Sequence, residues 1–98
     1  MENQHRKITG YRELSQEEID LMNEIKATGE QLEKLIEKVS GHIENQAEQA
    51  FVIKIDSDNA EAVRVMKADP RKWAHIAEDH LQQGLMALTR AVAQPTSF

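Results

Sequence analysis

A chain of 98 residues with 17 acidic against 12 Lys or Arg side chains carries a formal net charge of −5, and its pI near 5.3 argues against a general binder of duplex DNA or RNA, whose affinity comes mainly from neutralising phosphates. The absence of cysteine excludes a disulfide framework and a thiolate metal site. No apolar run approaches the ~20 residues of a membrane span, and the polar start MENQHRK lacks a signal-peptide apolar region, which together give a cytosolic reading. A small anion held in a local pocket stays compatible with this composition. The length suits a single domain over 1–98, and a chain this short buries only a modest fraction of its surface when it folds alone.

Residues 1–14 form an N-terminal arm in which His5, Arg6, Lys7 and Arg12 outweigh the acids Glu2 and Glu13. On charge alone this is a solvated arm, but Ile8 and Tyr11 would gain by packing against the helix that follows. Ser15 and Glu18 have the capping-box spacing, so a helix is predicted from about Gln16, with Leu14 and Ile19 spaced as a hydrophobic staple. Glu17, Glu18 and Asp20 place negative charge at the positive end of the helix dipole. From Met22 a three-four alternation runs through Ile25, Gly29, Leu32, Ile36, Val39 and Ile43, giving one apolar seam over a helix 16–47. Such a helix is roughly 48 Å long, so the protomer is expected to be elongated and oligomerisation is expected to supply the missing interior.

Gly29 costs about 1 kcal/mol relative to Ala. It is either a tolerated packing glycine or a place where Lys26, Thr28 and Gly29 let a ligand or another backbone come close. Lys26, Glu30, Lys34 and Glu37 are spaced for i,i+4 and i,i+3 pairs on a solvated face. Ser40-Gly41 weakens the second half of the helix. A connector 48–69 follows, in which Phe51 to Ile55 reads locally as a strand or extended segment, with a helical extension and pairing with another protomer as the alternatives. Asp58 and Glu61 repeat the capping-box spacing, which predicts a short helix from about Asn59 to Ala68. Asp69-Pro70 supplies an N-cap and a first-turn proline for a last helix over 70–93, ahead of a tail 94–98. Its principal seam is read as Trp73, Ala77, Leu81, Gly84, Leu88 and Ala91, widened by Ile76, Leu85 and Val92. Between Gly84 and Ala93 only Thr89 and Arg90 are polar, more apolar surface than a two-helix hairpin covers, so a second face is expected to be buried between protomers.

The chain offers little to catalysis. His75 and Asp79 share a helix face but His80 points elsewhere, and neither HExxH nor a third ligand accompanies them. His42 stands alone, and Glu17 and Glu18 on a solvated helix start lack the desolvation that general acid catalysis requires. There is no P-loop and no GxGxxG. No enzyme, metal or cofactor is therefore expected.

What remains is Tyr11, Arg12, Lys26 and Thr28. A tyrosine offers a stacking face worth about 1–3 kcal/mol per base, and a lysine and a hydroxyl supply hydrogen bonds to phosphate, the charged one worth about 1.5–3 kcal/mol. One such set is weak. Two sets across a dyad match the approximate two-fold symmetry of a cyclic dinucleotide, and together give on the order of 5–12 kcal/mol before ordering costs, against about −12 kcal/mol for nanomolar affinity.

The strings HRKITGYRELSQEEIDLMNEIKATG and DPRKWAHIAEDHLQQGLMALTRAVAQPTSF resemble the phage anti-CBASS cyclic-oligonucleotide sponges, which share a helical-hairpin domain with the phage sponges that counter Thoeris immunity. The resemblance covers both ends of the chain and is weak from Glu30 to Ala68. It implies a mainly α antiparallel helical hairpin with a short N-terminal arm, assembled as a symmetric homo-oligomer, commonly a hexamer. It also implies a protein that sequesters cyclic dinucleotides such as cyclic GMP-AMP without cleaving them, in the cytoplasm of the infected bacterial host, so that CBASS effectors stay inactive. The family's dinucleotide-pocket tyrosine, lysine and threonine match Tyr11, Lys26 and Thr28, with Arg12 beside them; for a second site that takes cyclic trinucleotides, position and charge suggest Gly10, Arg71 and Arg90. A helical oligomerisation or protein-inhibitor module that binds a host protein is the alternative of another class, and a phosphodiesterase acting on the same ligands is a third.

Overall fold

The computed structural model describes residues 12–53 and 60–97, and in them the chain is helical, with no strand among the described residues. Three helices follow one another: α1 (Gln16–Ile53), α2 (Ala60–Ala68) and α3 (Pro70–Ala93). The chain gathers into two compact units, one made of the residues up to Glu30 with those from Gln82 onward, the other of Gln31–Leu81.

In the first unit, α1 starts on a reciprocal capping box. The Glu18 amide donates to Ser15 Oγ at 3.2 Å and the Ser15 amide donates to Glu18 Oε1 at 2.8 Å, while the Ile19 amide closes the first helical turn on the Ser15 carbonyl at 2.9 Å. Two backbone donors that the helix geometry leaves without partners are thereby satisfied. Met22, Ile25 and Gly29 are half-buried on the inner face. Opposite them Leu85, Thr89 and Val92 of α3 are half-buried, and a methyl group placed on Gly29 would lie 3.2 Å from Leu85 Cδ1. Gly29 is thus a packing glycine, its missing side chain replaced by a leucine from the neighbouring helix.

In the second unit the α1 seam continues through Leu32 and Ile36 to Ile43, Ala47 and Ala50, of which Ile43 and Ala50 are each only 7% exposed. Val39, counted into the seam from its spacing, is 43% exposed. The packed face of Ile43, Ala47 and Ala50 explains where the helix goes beyond the end read from the sequence. The helix carries on to Ile53 where the sequence reading ended it near Ala47, and Phe51–Ile53 are helical, the alternative raised for that stretch beside an extended one. β-branched residues have a weak preference for strands, which a packed helix face one turn earlier overrides. Residues 54–59 lie outside the described residues. Ser40-Gly41 is accommodated within the helix.

The helix α2 ends and α3 begins at one residue. Asp69 has a left-handed backbone, φ 51°; its amide donates to the Val65 carbonyl at 3.0 Å, closing α2, and its carbonyl accepts from the Trp73 amide at 3.4 Å, opening α3. The expected cap role of Asp69 is therefore carried by its backbone. Within α2, Arg64 makes a two-pronged pair with Glu61, 3.0 Å from Nε and 2.7 Å from a terminal nitrogen. The expected partner of Glu61, Asp58, lies outside the described residues.

The face of α3 that packs takes in Ile76, Leu85 and Val92, read in the sequence as widening the seam, and leaves out the principal seam. Trp73, Ala77, Leu81, Gly84, Leu88 and Ala91 are all exposed. The half-buried positions are Pro70, Ala74, Ile76 and Glu78 in the second unit and Leu85, Thr89, Val92 and Ala93 in the first. A helix with two apolar stripes does not reveal which one meets its own chain, and here a stripe holding Glu78 and Thr89 does so. The Thr89 hydroxyl is reconciled to its half-buried place by donating to the Leu85 carbonyl at 3.0 Å. The pairings expected among Lys26, Glu30, Lys34 and Glu37 are not among the ion pairs of the described residues, in keeping with the small gain such pairs offer in water.

Substitutions at two positions, Gly29 and Asp69, test this packing by urea unfolding. Gly29→Ala exchanges about 1 kcal/mol of helix propensity for a crowded Leu85 methyl that can rotate aside, so stability should stay within about 1 kcal/mol of the parent. Gly29→Val should lose about 1–3 kcal/mol by overpacking. At the α2–α3 junction, Asp69→Val should cost about 1–2 kcal/mol because a β-branched residue resists the left-handed backbone, whereas Asp69→Gly should be nearly neutral.

Candidate functional site

The site begins with a guanidinium that joins two helix ends. Arg12 stands three residues ahead of the Ser15 cap, and four of its five N–H donors are engaged. Two reach the Glu18 carboxylate, at 3.2 and 2.7 Å. The others reach the last carbonyls of α3, Nε to Ala93 at 3.0 Å and a terminal nitrogen to Val92 at 2.7 Å.

Each partner has a physical reason to accept this arrangement. The C-terminal carbonyls of a helix lack intrahelical donors, and α3 meets the shortfall in two ways. Gln94 adopts a left-handed backbone, φ 52°, and returns its amide to the Arg90 carbonyl at 2.7 Å, the αL closure of a helix. Arg12 then takes the last two carbonyls, those of Val92 and Ala93, and sets a positive charge at the negative end of the dipole. On the other side, Glu18 is held well below its ordinary value of 4.5, at about 2, by the hydrogen bond from Arg12 first and the Ser15 amide second. Arg12 is correspondingly raised by its hydrogen bond to Glu18.

Lys26 and Thr28 belong to the same unit and are exposed on α1. Two residues apart on a helix, they are turned about 200° from one another. No hydrogen bond or ion pair among the described residues joins either to Arg12. Gly10 and Tyr11 lie outside the described residues.

Arg71 and Arg90 fall in different units, and each has a local partner. In the second unit Arg71 forms a two-pronged pair with Glu44 of α1, at 3.0 and 2.7 Å, beside a hollow of about 200 Å³ that Ile43, His75 and Glu78 help to line. A larger hollow of about 340 Å³, lined by Ala47, Val65, Met66 and Pro70 among others, also has Arg71 in its wall. In the first unit Arg90 donates to the Ser97 carbonyl at 3.0 Å, tying down the tail. Sequence reasoning missed Glu44, since a pair 27 residues apart leaves no local signal. It found Glu18 as a cap and missed its second role as the seat of Arg12. Among the described residues no three His, Asp or Glu side chains converge as a metal site requires, and no helix is long and apolar enough to cross a membrane.

With this geometry in hand, the comparison with known proteins is direct. The Acb2/Tad1 hairpin domain matches residues 3–93. The chain belongs to this family. Within it, "Anti-CBASS protein 2" of Pseudomonas phage JBD67 is 43% identical over 105 aligned positions, spanning 97% of each chain. The hairpin of the family name is visible in each unit of the present chain. The start of α1 meets the end of α3 through Arg12 in one, and Glu44 of α1 meets Arg71 near the start of α3 in the other.

The Glu18 seat has a pH signature. A carboxylate whose folded value is lowered stabilises the fold in full above 4.5, and that contribution is lost as pH falls from there towards about 2. Thermal unfolding of the parent and Glu18→Gln, followed by circular dichroism, should give a constant difference in Tm between pH 7 and about 4.5 that closes towards pH 2. A difference independent of pH would mean that the Arg12–Glu18 pair does not persist in solution.

Proposed function

We propose that this protein is a non-enzymatic sponge that binds and sequesters cyclic oligonucleotide second messengers, cyclic dinucleotides such as cyclic GMP-AMP and also cyclic trinucleotides, and so blocks activation of CBASS effectors during phage infection. The observation that carries this reading is the near end-to-end match to Anti-CBASS protein 2 at 43% identity, within a family whose hairpin domain accounts for residues 3–93. In this reading the protein works in the cytoplasm of the infected bacterium.

The dinucleotide site is assigned to Tyr11, Lys26 and Thr28, with Arg12 beside them. The opposed directions of Lys26 and Thr28 on α1 favour a site assembled from more than one copy, since one small ligand cannot face both from a single protomer. A symmetric homo-oligomer, a hexamer in this reading, supplies those copies. It is supported by the large apolar side chains left in water: Trp73 is 60% exposed, Met86 70% and Leu88 54%, a surface that burial between copies would stabilise at about 25 cal/mol per Å². Gly10, Arg71 and Arg90 are assigned to a second site for cyclic trinucleotides. Arg71 and Arg90 must then exchange Glu44 and Ser97 for phosphate, or share them.

Incubating the purified protein with cyclic GMP-AMP, removing free ligand and then denaturing it separates the readings. A sponge returns the nucleotide intact, a phosphodiesterase returns linear product, and a scaffold that binds host protein retains none. Lys26→Ala should weaken binding by about tenfold or more, the worth of one charge-assisted hydrogen bond, while the mass measured by light scattering stays that of the parent oligomer.

A further inference from the structure

We propose that Glu44 is a built-in competitor for the phosphate of a cyclic trinucleotide: it occupies the guanidinium fork of Arg71, and the ligand binds by exchanging with it. This inference rests on the reading of Arg71 as a phosphate ligand of the second site, and it decides between exchanging Glu44 and sharing it.

The pair and its surroundings belong to one compact unit. Glu44, on α1, accepts from Arg71 Nε at 3.0 Å and from a terminal nitrogen at 2.7 Å. A guanidinium takes phosphate through the same two-pronged geometry as carboxylate. A group with the charge and the acceptor pattern of the ligand therefore already fills the seat.

Sharing would set two anions on one guanidinium, in a hollow that a second carboxylate, the half-buried Glu78, also lines. No hydrogen bond or ion pair among the described residues joins Glu78 to Arg71. Exchange avoids that repulsion and asks little of the protein. Both side chains of the pair are exposed, and exposed pairs contribute little net stability because each partner regains its hydration on parting. Glu44 sits on an exposed position of a continuous helix, so its side chain can turn into water while the backbone stays where it is.

The hollow beside the pair measures about 200 Å³, below the roughly 300–1,000 Å³ of a whole small-molecule site, so it seats one group of a ligand. Ser40 and His75 line it with a hydroxyl and an imidazole, further donors for phosphate oxygens once the carboxylate has left. The neighbouring hollow of about 340 Å³ shares Arg71 and Ile43 and is otherwise mostly apolar, through Ala47, Val65, Met66 and Pro70. An anion seat beside an apolar surface suits a nucleotide, which carries both a phosphate and a ring. A seat guarded by a carboxylate also rejects small anions that bring no other contact.

Titration calorimetry with cyclic tri-AMP tests the exchange. Glu44→Gln should bind it about fivefold more tightly than the parent, the ratio that matches the upper worth of an exposed pair. Glu44→Ala, which empties the fork outright, should gain at least as much. Glu78→Gln removes the same charge from the same hollow without freeing Arg71, so its gain should be about twofold or less, the effect of a screened charge alone. Binding of cyclic GMP-AMP should be unchanged in all three, since Lys26 and Thr28 lie in the other unit. Binding by the parent with no gain in Glu44→Gln, a gain no larger than that of Glu78→Gln, or a loss in Glu44→Ala overturns the competitor role and leaves the second site standing. Failure of the parent and of Glu44→Gln to bind any cyclic trinucleotide, with cyclic GMP-AMP still retained, overturns the second site and this inference with it but not the sponge.

Discussion

Among the described residues only Ile43 and Ala50 are almost wholly withdrawn from water, and that scarcity of interior governs how the chain holds together. Burial is the main favourable term in folding, and helices with half-buried faces obtain little of it. Stability must therefore be collected at helix ends and at junctions, where unpaired backbone groups would otherwise cost most. The capping box at Ser15, the left-handed residues Asp69 and Gln94, and the Arg12 clasp all answer that need. The same scarcity leaves Trp73 exposed in one unit and Met86 and Leu88 exposed in the other.

The charged pairs divide by what they join. Arg64–Glu61 links neighbouring turns of one helix and is more than half exposed on both sides, the kind of pair that contributes a few tenths of a kcal/mol. Arg71–Glu44 joins α1 to α3 across 27 residues but is equally open to water. Arg12–Glu18 is less exposed, and its guanidinium also serves two carbonyls. It is the pair in which charge and helix capping coincide.

The family assignment and the geometry support one another at the level each reaches. Membership rests on residues 3–93, and the antiparallel meeting of α1 with α3 in each unit is what a hairpin domain requires. The proposed ligand chemistry draws on an aromatic ring, an ammonium and a hydroxyl, and asks the oligomer to bring them together. A sponge needs no reacting group. In the proposed reading its task is slow release, not turnover.

Local signals in the sequence determined the helix starts and the chemical inventory. The start of α1 was legible in Ser15 and Glu18, and that of α3 in Asp69-Pro70, because caps act over three or four residues and leave a local pattern. The residues proposed for a nucleotide site, Tyr11, Lys26 and Thr28, were chosen from the sequence. Only the tertiary structure decided that α1 runs on to Ile53, that the α3 stripe with Leu85, Thr89 and Val92 packs while Trp73 and Leu88 face water, and that Arg12 is occupied by Glu18 and α3. Those outcomes depend on partners up to 81 residues away. A side chain's chemistry is written in its own position, but what it has left to offer a ligand depends on which groups the fold sets against it.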